Sequence, residues 1–494
     1  MSDSWIVLSV AGAYLALSLI VGILPSRKSS DSAAGYVAGD RGLGLVVMYF
    51  ITGATIFSAF AFLGAPGWAY KKGVAACYVL AYGAVGFVPF YFVGPRASRV
   101  GRKFGFVTQA EMVAHRFRRP ALAGLMALVS MVAFVPYLAL QMKGAGYVLE
   151  AMTDGKVSAE VGAAIVYAVV VVYVMWSGVL GVGWTNTLQG VFMMVLAWAL
   201  GLYVPHALYG GIAPMFEKIT AERPELLISP GLNASGDPWT WAEYSSAFIV
   251  SAIGFSFWPH LFMKAFSARD ERTLRRTVVL YPTFQLFIVP ILLIGFAGVM
   301  FATAPEKPDQ ILPHLITQMD LSPVVVGLFC AGALAASMSS GDAIAHATAS
   351  ILVRDGWVTA CGRELTASGE RTMIRTVLVA VVILSYLFAV QWEDSLVDLL
   401  LYAYDPVVQF APVVLAALYF RRATGGVVMA GLVVGVIVTI LFIAQPDWRP
   451  WPLRAGLFGL VANFVVLFAG MALAGRSTDE SDEFLAAAEQ PDAS

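Results

Sequence analysis

The chain reads as an all-α integral-membrane protein of about thirteen transmembrane helices, and three observations carry that reading. Of 494 residues, 59% are hydrophobic and only 13% are charged, whereas soluble chains carry about a quarter charged residues. Apolar stretches of roughly 20 residues, the length that crosses a bilayer, recur along almost the whole sequence. The stretch from Gly327 to Asp355 is apolar enough to cross, yet it holds Ser339, Ser340, Asp342 and His346. Ser339, Asp342 and His346 fall on one helical stripe. Ionisable groups at bilayer depth are costly and face a partner or a water-filled path, so the stripe points to a protein that moves something polar.

The spans lie near 4–24, 43–69, 74–95, 121–149, 158–178, 184–209, 241–263, 276–303, 322–353, 372–391, 396–420, 424–444 and 453–475. The first lacks a basic leader and a small-residue cleavage site and is read as a retained helix. With the N-terminus outside, 22 of the 31 Lys and Arg residues fall in cytoplasmic segments and 8 in external ones. The positive-inside rule supports that orientation and a cytoplasmic C-terminus. Thr108 with Glu111 three residues on is a capping-box signal for a short cytoplasmic helix, and 268–276 is a basic connector. The external segment 210–240 holds Pro, Gly and acids and is expected to form short helices. The acidic tail, 476–494, is expected to be disordered. A net charge of -1 gives no reason to expect nucleic acid. Cys77, Cys330 and Cys361 imply no disulfide framework.

Two spans are interrupted. The second has Gly53, Ala54, Thr55 and Ser58 at its middle, followed by Gly64, Pro66 and Gly67. The seventh has Gly254 and Pro259, with Ser251, Ser256 and His260 nearby. Paired interruptions at matching places are the best sequence pointer to a transporter's central site, because unwound carbonyls can face an ion. Spans 2–6 and 7–11 then form two units of opposite orientation, covering 35–210 and 241–422. Residues 1–30 and 423–475 add helices at the ends.

Six motifs follow in order: Tyr36-Val-Ala-Gly39, Gly64-Ala-Pro-Gly-Trp-Ala-Tyr70, FGFVTQAEMVAHRF, WTNTLQG at 184–190, PHLFMKAFSARD at 259–270 and AASMSSGDAIAHATASILVRD at 335–355. With them, the stretch 35–425 resembles the sodium/solute symporter family, which includes sodium/glucose, sodium/proline, pantothenate and monocarboxylate carriers. The resemblance implies a LeuT-type five-plus-five inverted repeat with one extra helix at the N-terminus and two at the C-terminus. It implies a transporter of the cell membrane, not an enzyme, working by alternating access. It also implies a sodium site made by the carbonyls of Ala54, Phe57 and Ala336 and the hydroxyls of Ser339 and Ser340. Hydroxyls and carbonyls suit a hard monovalent cation. Where many members carry an acid in the WTD triplet, this chain has Asn186, which argues for a single sodium. Asp342 and His346, spaced i, i+4, are candidates for hydrogen bonding each other and keep proton coupling open.

The solute is expected to be small, and its pocket to be lined by Thr55, Phe60, Tyr137, Gln141, Ser251, Phe255 and Trp258. Sugar carriers place polar side chains where this chain has Ala61 and Leu80, and a sugar's hydroxyls would be left unpaired. Proline carriers have an aromatic at the position of Ser251 and an acid at that of Ile56. PHLFMKAF and YLALQMKG resemble the short-chain monocarboxylate end of the family, so pyruvate, lactate or acetate is expected, with membrane lipid as the other partner. A proline-like or pantothenate carrier, a proton-coupled carrier and a solute-sensing receptor are the alternatives. Lys143 either draws the anion or snorkels to the outer interface, and Asp405-Pro406 marks a break in span 11.

Overall fold

A computed structural model describes residues 3–25, 33–153, 155–391, 396–473 and 479–490. Among them the chain is helical, with only two isolated β-bridges. In order, α1 (Asp3–Ile23) and α2 (Ala33–Ala38) lead to the first interrupted span, α3 (Leu45–Ile56) and α4 (Ala65–Lys72). α5 (Cys77–Gly86) and α6 (Val88–Phe104) follow, then α7 (Gln109–Phe117), α8 (Pro120–Met152), α9 (Ala159–Tyr209) and α10 (Ile212–Glu222). The second interrupted span is α11 (Trp241–Gly254), α12 (Pro259–Phe262) and α13 (Lys264–Ser267). Then come α14 (Glu271–Gln285), α15 (Ile288–Gly298), α16 (Ile311–Gln318), α17 (Pro323–Ile351) and α18 (Ala367–Gln391). The last five are α19 (Leu396–Val407), α20 (Phe410–Tyr419), α21 (Gly425–Ala444), α22 (Ala455–Leu473) and α23 (Asp479–Glu489).

Among the described residues, ten helical segments are long and apolar enough to cross a bilayer, and eleven if the bent pair 241–257 and 259–267 counts as one span. The expected thirteen is not reached on that criterion, because α3 has only 12 residues and α9 runs 51 residues without a gap. A straight α9 would be about 75 Å long, more than twice a bilayer core. It is not straight: Gly178 takes φ 55, ψ -145 and divides it into two legs. A Cβ there would also sit 2.5 Å from the Tyr36 carbonyl, so glycine is required twice over.

The capping box is present at α7: Thr108 Oγ1 accepts from Glu111 N at 3.2 Å and Glu111 Oε2 accepts from Thr108 N at 3.2 Å. The basic connector is shorter than expected, since α14 begins at Glu271, with Asp270 as its cap accepting Thr273 N at 2.6 Å. The tail departs from expectation. Residues 479–489 form α23, which buries Phe484, Leu485 and Ala488. Its Glu483 pairs with Lys103 at 2.9 Å and its Glu489 with Arg421 at 3.4 Å. Acidity alone predicts a solvated tail; the apolar Phe484, Leu485 and Ala488, presented on one face to the basic end of α6, override it. Residues 476–478 and 491–494 lie outside the described residues.

The break in span 11 is present: α19 ends at Val407 and α20 starts at Phe410. Asp405 is buried there, paired with Arg454 at 2.6 Å and accepting Gly456 N at 3.1 Å. Gln409 Nε2 donates to the Gly456 carbonyl at 3.0 Å and Asn463 Nδ2 to the Gln409 carbonyl at 3.0 Å. These contacts tie the break to α22.

Candidate functional site

Why span 2 breaks where it does is local chemistry. Thr52, Thr55 and Ile56 are β-branched and poor helix formers, and Pro66 supplies no N–H to the turn before it. The chain leaves the helix at Phe57 (φ -78, ψ 72), and a π-turn over Phe60–Gly64 absorbs the extra residue before α4. Gly53 lets the span approach α14 closely; a Cβ there would lie 2.3 Å from the Phe284 ring.

The break faces α17. Ser339 Oγ donates to the Ala54 carbonyl at 2.9 Å and to the Ala336 carbonyl at 3.1 Å. Ser340 Oγ donates to the Thr55 carbonyl at 2.6 Å. Of the five expected cation ligands, Ala54, Ala336, Ser339 and Ser340 are thus brought together, and Phe57 stands at the break three residues beyond Ala54. The Thr55 carbonyl was not foreseen here, since Thr55 was expected to line the solute pocket. Each serine oxygen keeps lone pairs for a cation once its proton turns away. The cage is made of dipoles, and among the described residues no group of three His, Cys, Asp or Glu gathers to hold a metal ion. Oxygen dipoles without a carboxylate suit a monovalent hard cation that must also leave.

The seven expected pocket residues are all buried, Tyr137 the most exposed at 5%, so the centre is closed to both sides. They do not form one cluster. Gln141 Oε1 accepts Ala59 N at 2.9 Å, holding the break open, while its Nε2 has no partner. Ser58 Oγ, one residue before, also has none. Tyr137 packs on Trp258 at 5.2 Å between ring centroids. Ser251 instead hydrogen-bonds Tyr78 Oη, and Phe255 packs on Tyr82, Phe87 and Tyr281. Those two therefore face α5 and the α5–α6 junction. Thr55 Oγ1 accepts from Asn186 Nδ2 at 3.2 Å. Phe60 lies in the π-turn. Tyr78, Tyr82 and Tyr404 were missed, and Ser58 and His260 were noted at the two interruptions without being assigned to the pocket.

Asp342 and His346 are not hydrogen-bonded to each other. Asp342 Oδ2 accepts from Tyr173 Oη at 2.7 Å and Thr185 Oγ1 at 3.1 Å, and His346 Nε2 bonds the Tyr36 carbonyl at 3.1 Å. Their i, i+4 spacing is satisfied, but each side chain finds a partner on another helix. Lys143 lies away from the centre, in a cleft it lines with Tyr147, Glu160 and Lys307.

Comparison with known proteins follows the same geometry. The model of the sodium:solute symporter family matches residues 36–435. The chain is 28% identical over 468 residues to the uncharacterized symporter YhjB of Bacillus subtilis, covering 92% of this chain and 94% of that one. It is 24% identical to the osmoregulated proline transporter OpuE of the same organism (93% and 92% covered). To a monocarboxylate transport permease protein of Rhizobium johnstonii it is 23% identical (93% and 95% covered). Among solved structures, a sodium-coupled sialic acid symporter superimposes with a TM-score of 0.78 at 18% identity, covering 96% and 99% of the two chains.

Proposed function

The chain belongs to the sodium:solute symporter family, a multi-pass membrane transporter that couples sodium to a solute, and from that premise we propose that its solute is a short-chain monocarboxylate such as pyruvate, lactate or acetate. One observation carries this reading: at the break, Gln141 Nε2 and Ser58 Oγ stand buried without partners. The orientation of the Gln141 amide is fixed by Ala59 N, which requires an acceptor at Oε1. A buried unmade hydrogen bond costs about 1–3 kcal/mol. A carboxylate offers acceptors only, and the aromatic faces of Tyr137 and Trp258 leave room for a short apolar remainder. Ala61 and Leu80 stand where sugar carriers place polar side chains, which disfavours a sugar. Names among the relatives include both a proline and a monocarboxylate carrier; the partner-free donors would serve the carboxylate of either, and Ile56, where proline carriers have an acid, supports the monocarboxylate.

In this reading sodium binds to the oxygens of Ala54, Phe57, Ala336, Ser339 and Ser340, and bridges span 2 to α17. That bridge orders the outward-facing pocket, and solute then favours closure and inward opening. Coupling is differential affinity between states. Asn186, whose amide donates to Thr55, supports a stoichiometry of one sodium. One sodium falling through a tenfold gradient supplies about 1.4 kcal/mol, and a 1:1 cycle with a monocarboxylate moves no net charge. The separate partners of Asp342 and His346 weigh against a proton relay between them. The N-terminus is placed outside and the C-terminus inside, with 35–210 and 241–422 as the inverted repeats.

The test is uptake of labelled pyruvate by proteoliposomes under an imposed inward sodium gradient, against matched potassium and proton gradients. Sodium-driven accumulation competed by acetate and lactate supports the reading. Uptake driven by protons alone, or competition by proline and not by lactate, overturns it.

A further inference from the structure

Beneath the solute pocket, towards the cytoplasm, lies a second polar chamber. Lys264, His260, His346 and Ser267 line it, walled by Ala343 and Ala347 of α17, with about 10 Å³ of free space, room for about one water molecule. Lys264 and His260 are 5% and 2% exposed. Both ring nitrogens of His260 are buried without hydrogen-bond partners, and among the described residues no side-chain hydrogen bond or ion pair holds the Lys264 ammonium. An ammonium taken out of water without a partner costs several kcal/mol. Charged and polar donors are held here at a price the fold does not recover within this conformation.

Position tells what the donors await. His260 meets an aromatic group edge-on, its ring centroid 5.5 Å from Trp258, 5.3 Å from Phe134 and 6.0 Å from Tyr137. Trp258 and Tyr137 are the aromatic wall of the proposed solute pocket, so the chamber is the next space inward. Its floor is the closure between the cytoplasmic ends of the two interrupted spans. Leu43 N donates to the Ser267 carbonyl at 3.1 Å and Arg269 N to the Leu43 carbonyl at 3.0 Å. When that bridge parts, Lys264 and His260 become the first groups met between pocket and cytoplasm. The carboxylate within electrostatic reach of Lys264 is Asp342, already held by Tyr173 and Thr185.

We propose that Lys264 and His260 form an anion-receiving site on the cytoplasmic side, which takes the carboxylate of the solute as it leaves the central pocket. The identity of that anion rests on the monocarboxylate reading; the existence of the site does not. Lys264 offers three donors and His260 one, enough to replace the contacts the carboxylate gives up at Gln141 and Ser58.

The experiment uses inside-out membrane vesicles, which present the cytoplasmic face, and a variant with Cys77, Cys330 and Cys361 replaced and Ala347→Cys added. Its thiol is reacted with an anionic (sulfonatoethyl) and a cationic (trimethylammonioethyl) methanethiosulfonate, without sodium. Lys264→Gln is expected to slow the anionic reagent about tenfold and to quicken the cationic one, while Lys264→Arg, which keeps the charge and controls for folding, leaves both within twofold. Equal rates in the parent and Lys264→Gln, or a thiol that never reacts from this face, overturn the site. Pyruvate in the bath is expected to protect the thiol and chloride at equal concentration is not. Protection by chloride alone would make it a site for inorganic anions and overturn the carboxylate assignment. Charge selectivity without protection by pyruvate, lactate or acetate would leave the anion site standing and refute the monocarboxylate reading.

Discussion

At Phe57 the first interrupted span turns carbonyl and hydroxyl oxygens towards α17, whereas at Trp258 the second leads down to nitrogen donors, His260 and Lys264. Both breaks arise from the same means: small residues, and a proline that withholds a donor. What differs is the neighbour each one meets. Span 2 meets Ser339 and Ser340, and the result is a cage of dipoles suited to a cation. Span 7 meets an aromatic wall and the imidazole of His346, and the result is a place for an anion. A pseudo-symmetric backbone can thus serve two ions of opposite sign, because sign is set by the side chains facing each break.

Four changes would break or sharpen that contrast. The largest effect is expected from Ser339→Ala combined with Ser340→Ala. Losing two hydroxyl ligands at about 1–3 kcal/mol each should raise the sodium needed for half-maximal uptake on the order of 100-fold or more. An unchanged sodium curve in a protein of unchanged melting temperature would remove the cation from this break. Gln141→Leu comes next. It removes the donor assigned to the carboxylate, and KM for pyruvate should rise about tenfold, or about 1.4 kcal/mol, while half-saturating sodium moves much less. Equal shifts in both would reduce Gln141 to a strut for Ala59. Asn186→Asp puts a carboxylate beside Thr55, and the Hill coefficient for sodium should climb from near one towards two, read from initial uptake rates. A coefficient that stays put would mean the polar cluster around Asn186 does not limit stoichiometry. The smallest change is expected from His346→Gln, which can still donate to the Tyr36 carbonyl. Uptake and its pH profile should stay close to the parent's, and a flattened pH profile would return His346 to a coupling role.

How much of this the residues announce in advance depends on the range of the interaction. Thr108 and Glu111 cap α7 as expected because a capping box is complete within four residues. Ser339 and Ser340 were singled out by the family motifs around them, and both face the break in span 2; that they hold sodium is the proposal made above. Ser251 and Phe255 were assigned to the pocket by their place in span 7. They turn instead towards α5 and the α5–α6 junction, a choice made by Tyr78, Tyr82 and Phe87 that no local pattern encodes. The kink at Gly178 falls where the fifth span was expected to end, although Gly181 and Gly183 could equally have carried it. His260 was noted only as a neighbour of the interruption in span 7; packing against Phe134 and Tyr137 is what sets its imidazole beside the aromatic wall. The tail was misread for the converse reason, since its composition is acidic but its partners, Lys103 and Arg421, lie hundreds of residues upstream and dozens upstream, respectively.

The inner closure has a property that sets it apart from everything else in the pathway. It joins Leu43 to Ser267 and Arg269 through peptide groups, so no side chain spells it. Nearly any residue at those positions presents the same N–H and C=O, proline at 43 or 269 being the exception because it deletes a donor. Evolution can therefore rewrite the pocket, the aromatic wall and the chamber for a new cargo while the latch beneath them is inherited unedited.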